Sequence, residues 1–444
     1  MRDEYSRRSL LRMGGPALAI GLAGCSSGSD SSGSTVTEQD EGTAATTRVT
    51  TPSEPECDYQ AIDPDEPSGT IEIWHNRAEV GEELFDTAKA RFETETDSEL
   101  DVTAWGGATH YDLKMRALNS DGEGLHIFEW GHDMVTWFDT SVHLSDQRGQ
   151  LDIGDCVLSQ KALEIAAFDG IRFGMPWSAE TVALFYNEDI VEEPPATLAE
   201  MTSIMDEYHE DGGETFGLGF PVNPYYVSGF AQAYGGEIYD GEADELGVDT
   251  DAVEKGLRVV TDDLKPYMPN DPESYAQQSV FENGNAPFLI GGPWNIDDLE
   301  EQDVEFGVTT LPDLPDGGTP RPYAGYEILY FGAKMDTDPN AGAARNFARW
   351  FATDEQSMLE HADRGNYVPI NTELRASGRL PGTIQAFADQ LETADPIPQR
   401  EEMDWVWGPF GDAVEDAFNG DGELRANLES AAEAIREEWE EEEN

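Results

Sequence analysis

Short apolar stretches alternate along the chain with longer segments whose apolar residues recur every three or four positions. Residues 70–74 read Thr-Ile-Glu-Ile-Trp, the polar–apolar alternation of a β-strand with one buried face. The next segment has the spacing of one helix face, with apolar residues at Val80, Leu84, Phe85, Ala88 and Phe92. Residues 100–104 alternate again. This change of period predicts βαβ units and an α/β fold with a mostly parallel sheet.

The same patterns predict further strands and helices along the rest of the chain. The strands are placed at 125–129, 182–186, 217–220, 286–290, 306–310 and 328–331. The helices are placed at 197–210, 251–264, 340–351 and 423–440. The segment from residue 69 to residue 444 is too long for one ordinary hydrophobic core, so two lobes are expected. Periodicity leaves open how the strands are shared between them.

The N-terminus has the features of an export signal. Arg7 and Arg8 precede an apolar run from Met13 to Gly24, which is too short to span a membrane. We therefore predict a twin-arginine signal peptide at residues 1–24. Leu-Ala-Gly-Cys at residues 22–25 resembles a lipobox, so Cys25 is the expected lipidation site; an ordinary cleaved signal is the alternative.

Residues 25–68 are predicted to form a disordered tether. They are rich in Ser, Thr, Gly and acidic residues and contain few apolar ones, so they cannot bury enough surface to fold. Cys57, near the end of this segment, and Cys156 are the remaining cysteines. Outside the cell these two could form a disulfide, and their sequence positions leave open whether they do.

The chain is strongly acidic. Its 92 Asp and Glu residues against 26 Lys and Arg residues give a formal net charge of −66. This balance excludes a nucleic-acid-binding protein, because phosphate recognition needs clustered Lys and Arg. The mutual repulsion of so many carboxylates is screened in molar salt, where the Debye length is about 3 Å, so we predict a halophilic protein.

Motifs for catalysis are missing, whereas aromatic residues recur beside polar ones at predicted strand ends. The sequence has no Gly-x-Ser-x-Gly, Walker or Gly-x-Gly-x-x-Gly motif, and its seven histidines show no metal-ligand spacing. We therefore expect no catalytic residue, no cofactor and no metal. Instead Glu129-Trp130, Trp177 with Glu180, Asn223 with Tyr225, and Trp294 lie in segments next to strands. Aromatic faces beside carboxylates and amides suit a sugar ring, and ligands of α/β sheets bind at strand ends.

Several ungapped segments, in order, carry a family resemblance. They are Thr70–Trp74, Ile127–Asp133, Met175–Asn187, Asn283–Asn295 with its Gly-Pro-Trp, Phe306–Pro312, and Ile397–Gln399 before two tryptophans. Through them residues 69–444 resemble the extracellular solute-binding proteins of ABC importers, of the maltose-binding type (family 1 sugar binders). With the acidic composition and the lipobox, the chain resembles a haloarchaeal-type lipoprotein of that family.

The resemblance implies a type II periplasmic-binding-protein fold with two α/β lobes. Each lobe is expected to contain a mixed, mostly parallel sheet flanked by helices, with three hinge crossovers between the lobes. The implied N-terminal lobe comprises residues 69–178 and 328–372, and the implied C-terminal lobe comprises residues 183–322 and 378–444. The crossovers are expected near residues 177–182, 322–328 and 371–377.

The resemblance also implies the ligand-binding residues. On the first lobe these are Trp130 and Asp133, with Glu180 at the crossover. On the second lobe Tyr225 and Trp294 are expected to stack on the ligand, and Trp407 or Trp405 to close over it. Asn223 and Arg77 are also implied to contact the ligand. The family's maltose binder has an acidic residue in place of Asn223 and an Asp-Lys pair near Arg77, so the sugar need not be maltose.

The implied function is that of a receptor, and not of an enzyme. It would bind maltose, maltodextrin, trehalose or a similar oligosaccharide between its lobes and deliver it to the permease subunits of an ABC transporter. We expect a monomer, lipid-anchored on the extracellular face of the cytoplasmic membrane and exported by the twin-arginine route, that binds no nucleic acid. The main alternative is the same fold binding a polyamine or another non-sugar solute. A glycoside hydrolase with Asp133 and Glu180 as its two carboxylates is the other.

Overall fold

The computed structural model describes residues 59–77, 80–104, 124–138, 140–151 and 157–442. The predicted signal peptide, Cys25, Cys57 and Cys156 lie outside these residues. Among the helices that are described, none combines the length and the apolar composition needed to cross a membrane.

The described chain alternates strands and helices, as the apolar pattern predicts. The strands are β1 Thr70–His75, β2 Glu99–Ala104, β3 Ile127–Gly131, β4 Ala167–Phe168, β5 Ile171–Arg172, β6 Gly174–Glu180, β7 Ala183–Asn187, β8 Leu218–Gly219, β9 Tyr239–Asp240, β10 Glu245–Leu246, β11 Phe288–Gly291, β12 Phe306–Thr309, β13 Tyr323–Phe331, β14 Val368–Pro369 and β15 Asp395–Pro396. The helices are α1 Val80–Thr96, α2 Thr140–His143, α3 Gln160–Ile165, α4 Leu198–Tyr208, α5 Pro224–Ala231, α6 Asp251–Arg258, α7 Ser274–Glu282, α8 Ile296–Glu301, α9 Ala341–Thr353, α10 Glu355–Gly365, α11 Thr372–Ala376, α12 Gly382–Gln390, α13 Glu402–Asn419 and α14 Leu424–Glu442.

A seven-stranded mixed sheet forms the centre of what we call the first lobe. Its order is β14-β6-β13-β3-β1-β2, and β15 pairs with β13. β1 is parallel to β2 and β3, whereas β13 is antiparallel to both β3 and β6. Helices α1, α9 and α10 cover it with aromatic side chains; Phe92 packs edge to face on Phe347 with 5.3 Å between ring centroids.

A four-stranded sheet, in the order β12-β7-β11-β8, forms the centre of the second lobe. β7 is antiparallel to β11 and β12, and β11 is parallel to β8. Successive residues of β7 point to opposite faces of the sheet. Leu184 belongs to a core shared with α4, α5, α13 and α14. Phe185, on the other face, packs against Phe387 of α12 with 5.7 Å between ring centroids. The α/β prediction is confirmed, with sheets that are mixed in direction.

Two strand connections join the lobes. β6 of the first sheet passes into β7 of the second through Thr181 and Val182, and β13 returns the chain after β12. Thr181 donates a hydrogen bond from Oγ1 to the Tyr323 carbonyl oxygen over 2.9 Å, and both residues are buried. The two connections therefore lie next to each other and are joined by a hydrogen bond at the hinge.

The tether as predicted extends too far toward the C-terminus. Residues 59–68 pack on α9: the Asp63 amide donates to Asn346 Oδ1 over 2.8 Å, and the Asn346 amide returns a bond to the Asp63 carbonyl over 2.9 Å. Arg345 forms an ion pair with Glu66 at 2.9 Å. Polar contacts therefore hold this segment on the first lobe. The prediction of disorder considered only the low apolar content, and these contacts bury little apolar surface.

Candidate functional site

An aromatic cluster lies where the second lobe faces the β6–β7 connection. Trp294 follows β11, and its ring centroid is 6.1 Å from that of Tyr225 and 6.2 Å from that of Tyr226, both in α5. The indole nitrogen of Trp294 donates to Tyr226 Oη over 3.1 Å. Tyr225 and Tyr226 are buried, whereas Trp294 is half-buried and retains exposed ring surface. Trp294 is therefore the member of the cluster that offers a face for stacking.

Glu180 lies beside this cluster. It is the last residue of β6, is half-buried, and its carbonyl oxygen accepts a hydrogen bond from Tyr225 Oη over 3.4 Å. The contact joins a first-lobe strand to a second-lobe helix. The structure thus brings together three residues predicted for the ligand site, Glu180, Tyr225 and Trp294, and adds a fourth, Tyr226. The adjacent Tyr-Tyr pair in the sequence was the signal that could have identified it.

Burial favours the neutral form of the Tyr226 hydroxyl. Removal from water raises the pKa of Tyr226 to about 12, although hydrogen bonds from Trp294 and Gln278 oppose the shift. A phenol that remains protonated can donate one hydrogen bond while it accepts another. The Tyr226 hydroxyl therefore accepts the hydrogen bond that orients the Trp294 ring.

Trp130 is buried in the first-lobe core. It lies in β3 opposite Ile328 and is 4% exposed, so it presents almost no ring face in this conformation. The turn that follows is fixed by His132, which is fully buried. Its Nδ1 accepts from the Tyr326 amide over 3.2 Å, so Nε2 carries the proton and donates to the Ile397 carbonyl over 3.0 Å. His132 thereby places the next residue, Asp133, at the edge of the first lobe.

Asn223, predicted as a ligand residue, caps helix α5. Its Oδ1 accepts hydrogen bonds from the backbone amides of Tyr225 and Tyr226 over 3.1 and 3.2 Å. These amides have no partner within the helix, and Asn satisfies them well. The side-chain oxygen thus positions the two tyrosines, and the ligand contact of Asn223 stays a prediction.

Arg77, also predicted to contact the ligand, is committed to a buried ion cluster. Its guanidinium pairs with Glu129 on β3 and with Glu327 on β13, the latter at 2.6 Å, and lies 5.5 Å from the ring centroid of Trp177. Glu129 is 1% exposed and Glu327 is 8% exposed. Residues after a strand end are solvent-exposed in many α/β proteins, whereas here two inward-facing carboxylates draw the arginine inward. The sequence pattern contains no signal for this ion cluster, and the ligand contact of Arg77 stays a prediction.

The carboxylates of this cluster differ from ordinary surface acids. Burial raises the pKa of Glu129 to about 7; the positive charge of Arg77 opposes the rise, and the negative charge of Glu327 adds to it. For Arg77, burial favours the neutral form, but the charges of Glu129 and Glu327 outweigh that effect and raise its pKa. Near neutral pH the cluster therefore contains the Arg77 cation and a Glu129 carboxyl close to the midpoint of its titration.

Trp405 and Trp407 are both half-buried on helix α13. The Trp407 ring packs edge to face against Tyr323 with 5.8 Å between centroids. In the same helical turn, Asp404 Oδ2 accepts a hydrogen bond from the indole nitrogen of Trp137 over 2.7 Å. Trp137 ends the turn after β3, so this bond runs from one lobe to the other. Sequence reasoning had no signal for it, because the two residues are 267 positions apart.

The described residues contain no group of three or more His, Cys, Asp or Glu side chains placed to hold a metal ion. The polar groups at the lobe junction are carboxylates, amides and phenols next to aromatic rings. This set can stack on an apolar ring face and exchange hydrogen bonds with hydroxyl groups at its edge.

The fold and this geometry can be compared with known proteins. A family model described as bacterial extracellular solute-binding protein matches residues 87–387. The chain is 28% identical over 357 residues to a maltotriose-binding protein of Pyrococcus abyssi, covering 79% of this chain and 77% of that one. It is 26% identical over 291 residues to a maltooligosaccharide ABC transporter solute-binding lipoprotein of Streptococcus pneumoniae, covering 62% and 67%.

A likeness to solved structures covers most of the chain. The crystal structure of a cyclo/maltodextrin-binding protein complexed with maltotetraose superposes with a TM-score of 0.74 at 19% identity. The match covers 85% of this chain and 98% of that one. The predicted two-lobed type II fold is thereby confirmed.

Proposed function

The chain belongs to the bacterial extracellular solute-binding proteins, and from that premise we propose that it binds a maltodextrin or a related oligosaccharide between its lobes. The observation that carries the proposal is the meeting of Glu180, Tyr225 and Trp294 at the junction of the two lobes. The named relatives that bind maltotriose and maltooligosaccharides support the choice of sugar.

Each part of this site has a counterpart in a pyranose. The half-buried ring of Trp294 stacks on the apolar face of the sugar, and the Glu180 carboxylate accepts hydrogen bonds from hydroxyl groups at its edge. Asp133 supplies a carboxylate from the first lobe, and Trp405 and Trp407 approach from α13. Nothing in this arrangement requires a bond of the sugar to break, so the protein is a receptor and not an enzyme.

Binding is coupled to closure of the lobes about the hinge. A sugar held by Trp294 on the second lobe lies beside Glu180 at the crossover and reaches Asp133 of the first lobe only when the lobes approach. The ligand therefore raises the closed population by the ratio of its affinities for the closed and open forms. The closed form is the one that docks on the permease of an ABC transporter. We place the lobe boundaries at residues 69–178 with 328–372 and 183–322 with 378–444.

The protein is anchored on the outer face of the cytoplasmic membrane. A lipid on Cys25 and export by the twin-arginine route are the basis of this proposal, and the lipoprotein relative supports the anchor. A Cys57–Cys156 disulfide would fasten the tether to the first lobe. Its support is that Tyr59 and Val157, which neighbour these cysteines in sequence, line one cavity of about 260 Å³.

A thermal-shift screen tests the ligand class. The purified protein is melted in about 3 M KCl with maltose, maltotriose, trehalose, glucose, xylose or spermidine added singly. A ligand that binds only the native state stabilises it by about 2.7 kcal/mol at a hundredfold excess over Kd. We expect a rise in melting temperature with at least one of the glucose oligosaccharides. A response to spermidine alone, with silence for every sugar, would overturn the proposal in favour of a cation receptor.

A further inference from the structure

The two lobes are joined directly at one end of the cleft. Trp137 closes the turn that follows β3 of the first sheet, and its ring packs against the hydrophobic cluster that includes that sheet. Asp404 lies in the first turn of α13, whose Val406 and Phe410 belong to the second-lobe core. The Trp137 Nε1 to Asp404 Oδ2 distance of 2.7 Å is that of a strong hydrogen bond to an ionised acceptor. One lobe therefore provides the donor and the other the acceptor.

A second contact joins the lobes at a different place. Asn366 ends α10 on the first lobe in the left-handed conformation, with φ of 54°, and its Nδ2 donates to Asp297 Oδ1 over 2.8 Å. Asp297 lies in α8, three residues after Trp294. Both contacts thus lie next to residues of the aromatic site: Trp405 follows Asp404, and Trp294 precedes Asp297.

The surroundings of Asp404 show that this contact opposes a repulsion. Partial removal from water raises its pKa to about 6; the bond from Trp137 lowers it, and the charges of Asp133 and Glu401 raise it further. Asp133 is on the first lobe and Asp404 on the second. Bringing the lobes together therefore places like charges closer, and the indole donor is the group that offsets this cost.

We propose that Trp137–Asp404 and Asn366–Asp297 form a two-point latch that holds the lobes closed around the ligand. The proposal rests on the proposed function, since the latch acts on ligand release. A hydrogen bond fails once its donor and acceptor are more than about 3.5 Å apart, so both contacts break when the lobes separate. Trp137 and Asp404 are positioning residues for binding: they set how long the cleft stays closed.

The latch makes a prediction about release rates. Losing a bond that exists only in the closed form destabilises that form alone, so the ligand leaves faster while its association changes little. For each contact we expect about a fivefold increase in the dissociation rate constant and an equal loss of affinity, within the range typical of one hydrogen bond. Because Trp137 and Asp404 share one bond, removing both should cost no more than removing either.

The experiment is a double-mutant cycle with maltotriose as the probe. Trp137→Phe, Asp404→Ala, their combination and Asn366→Gly are compared with the wild type by stopped-flow tryptophan fluorescence in about 3 M KCl. Glycine retains the left-handed backbone at position 366. Asp416→Asn on α13 and Glu437→Gln on α14, two exposed residues, are the matched controls and should release maltotriose at the wild-type rate. Because Asp404→Ala also removes the repulsion from Asp133, the deciding single variants are Trp137→Phe and Asn366→Gly. Either of them matching the wild type, or a double variant whose loss is the product of the two single losses, would overturn the latch.

A ligand-free measurement separates the latch from the proposed function. Small-angle X-ray scattering reports the radius of gyration, which increases as the lobes open. Without sugar, Trp137→Phe and Asn366→Gly should each have a larger radius than the wild type, whereas the controls should not. If the wild type fails to bind maltotriose but the radii of Trp137→Phe and Asn366→Gly increase, the latch is supported and the proposed ligand is wrong. Equal radii for variants and wild type contradict the latch whatever the ligand.

Discussion

Replacing Glu129 by glutamine should stabilise the protein in a way that depends on pH. Glu129 is 1% exposed and shares the Arg77 guanidinium with Glu327. Glutamine has the shape of a protonated glutamate but cannot ionise, so Glu129→Gln fixes the state that burial favours. At alkaline pH the wild type holds two carboxylates against one cation, whereas the variant holds one.

The size of the effect follows from the pKa of Glu129. It is about 7 in the folded protein, against about 4.3 for an unfolded chain. Because the folded value is raised, the stability contributed by protonated Glu129 is fully present below about pH 4.3 and is lost as pH rises through about 7. Each pKa unit corresponds to about 1.36 kcal/mol. Between about pH 5.5 and 8.5 the titration of Glu129 therefore lowers the free energy of unfolding of the wild type by about 2 kcal/mol, whereas Glu129→Gln shows no such loss.

The assay is urea unfolding followed by tryptophan fluorescence, at about pH 5.5, 7 and 8.5 in a constant concentration of KCl. The quantity compared is the free energy of unfolding of Glu129→Gln minus that of the wild type. We expect this difference to increase by about 2 kcal/mol across the range, with most of the change completed near pH 7. Glu437→Gln, an exposed residue of α14, is the control and should show no trend. A difference for Glu129→Gln that is constant with pH, or that falls as pH rises, would refute the reasoning.

Three further results are expected. Arg77→Met leaves two buried carboxylates without their cation and should lower the free energy of unfolding at alkaline pH by roughly 3–5 kcal/mol in the same urea assay; a loss below about 1 kcal/mol would be inconsistent with a buried ion cluster. Asn223→Ala removes the cap of α5 and should cost about 1 kcal/mol in thermal unfolding, whereas Asn223→Asp should retain most of the stability. Raising KCl from about 0.5 to about 3 M should raise the melting temperature, because salt screens the net charge of −66; a flat response would contradict the halophilic interpretation.

The apolar pattern predicted every described strand of four or more residues except β6, because the period of a strand is short and local, but it missed six of the seven two-residue strands. The predicted strands at β1, β7 and β12 lie within a residue of their observed ends. β6 was missed: its run Gly-Met-Pro-Trp-Ser-Ala-Glu is buried on both faces and does not alternate. Helix α13 was also missed, since Gly408, Pro409 and Gly411 lower its intrinsic propensity, and packing against α14 and α5 overrides that preference.

The segment predicted as one helix at 251–264 illustrates a finer limit. Residues 251–258 are α-helical, whereas 259–264 adopt the wider π-helical hydrogen bonding. Both conformations place apolar residues at similar intervals, so periodicity does not separate them.

The sequence predicted which residue types lie at the site better than it predicted what each side chain contacts. Glu180, Tyr225 and Trp294 each stand out because an aromatic or acidic residue follows or ends a strand, and the structure brings them together. Asn223 was predicted from its place beside Tyr225 and Arg77 from the family resemblance, and the structure shows that a helix N-terminus and a buried glutamate pair engage them. Whether a polar side chain meets a ligand or a neighbour depends on distances between elements, which local pattern does not encode.

Isothermal titration calorimetry with maltotriose tests the central claim most directly. The wild type and Trp294→Ala are each titrated with maltotriose in about 3 M KCl. The wild type is titrated separately with spermidine, which represents the alternative class of ligand. Our account predicts saturable binding of one maltotriose per wild-type chain, at least a tenfold loss of affinity in Trp294→Ala, and no heat of binding from spermidine. Binding of spermidine but not of maltotriose, or equal maltotriose affinity in the wild type and Trp294→Ala, would contradict a sugar site built on Trp294.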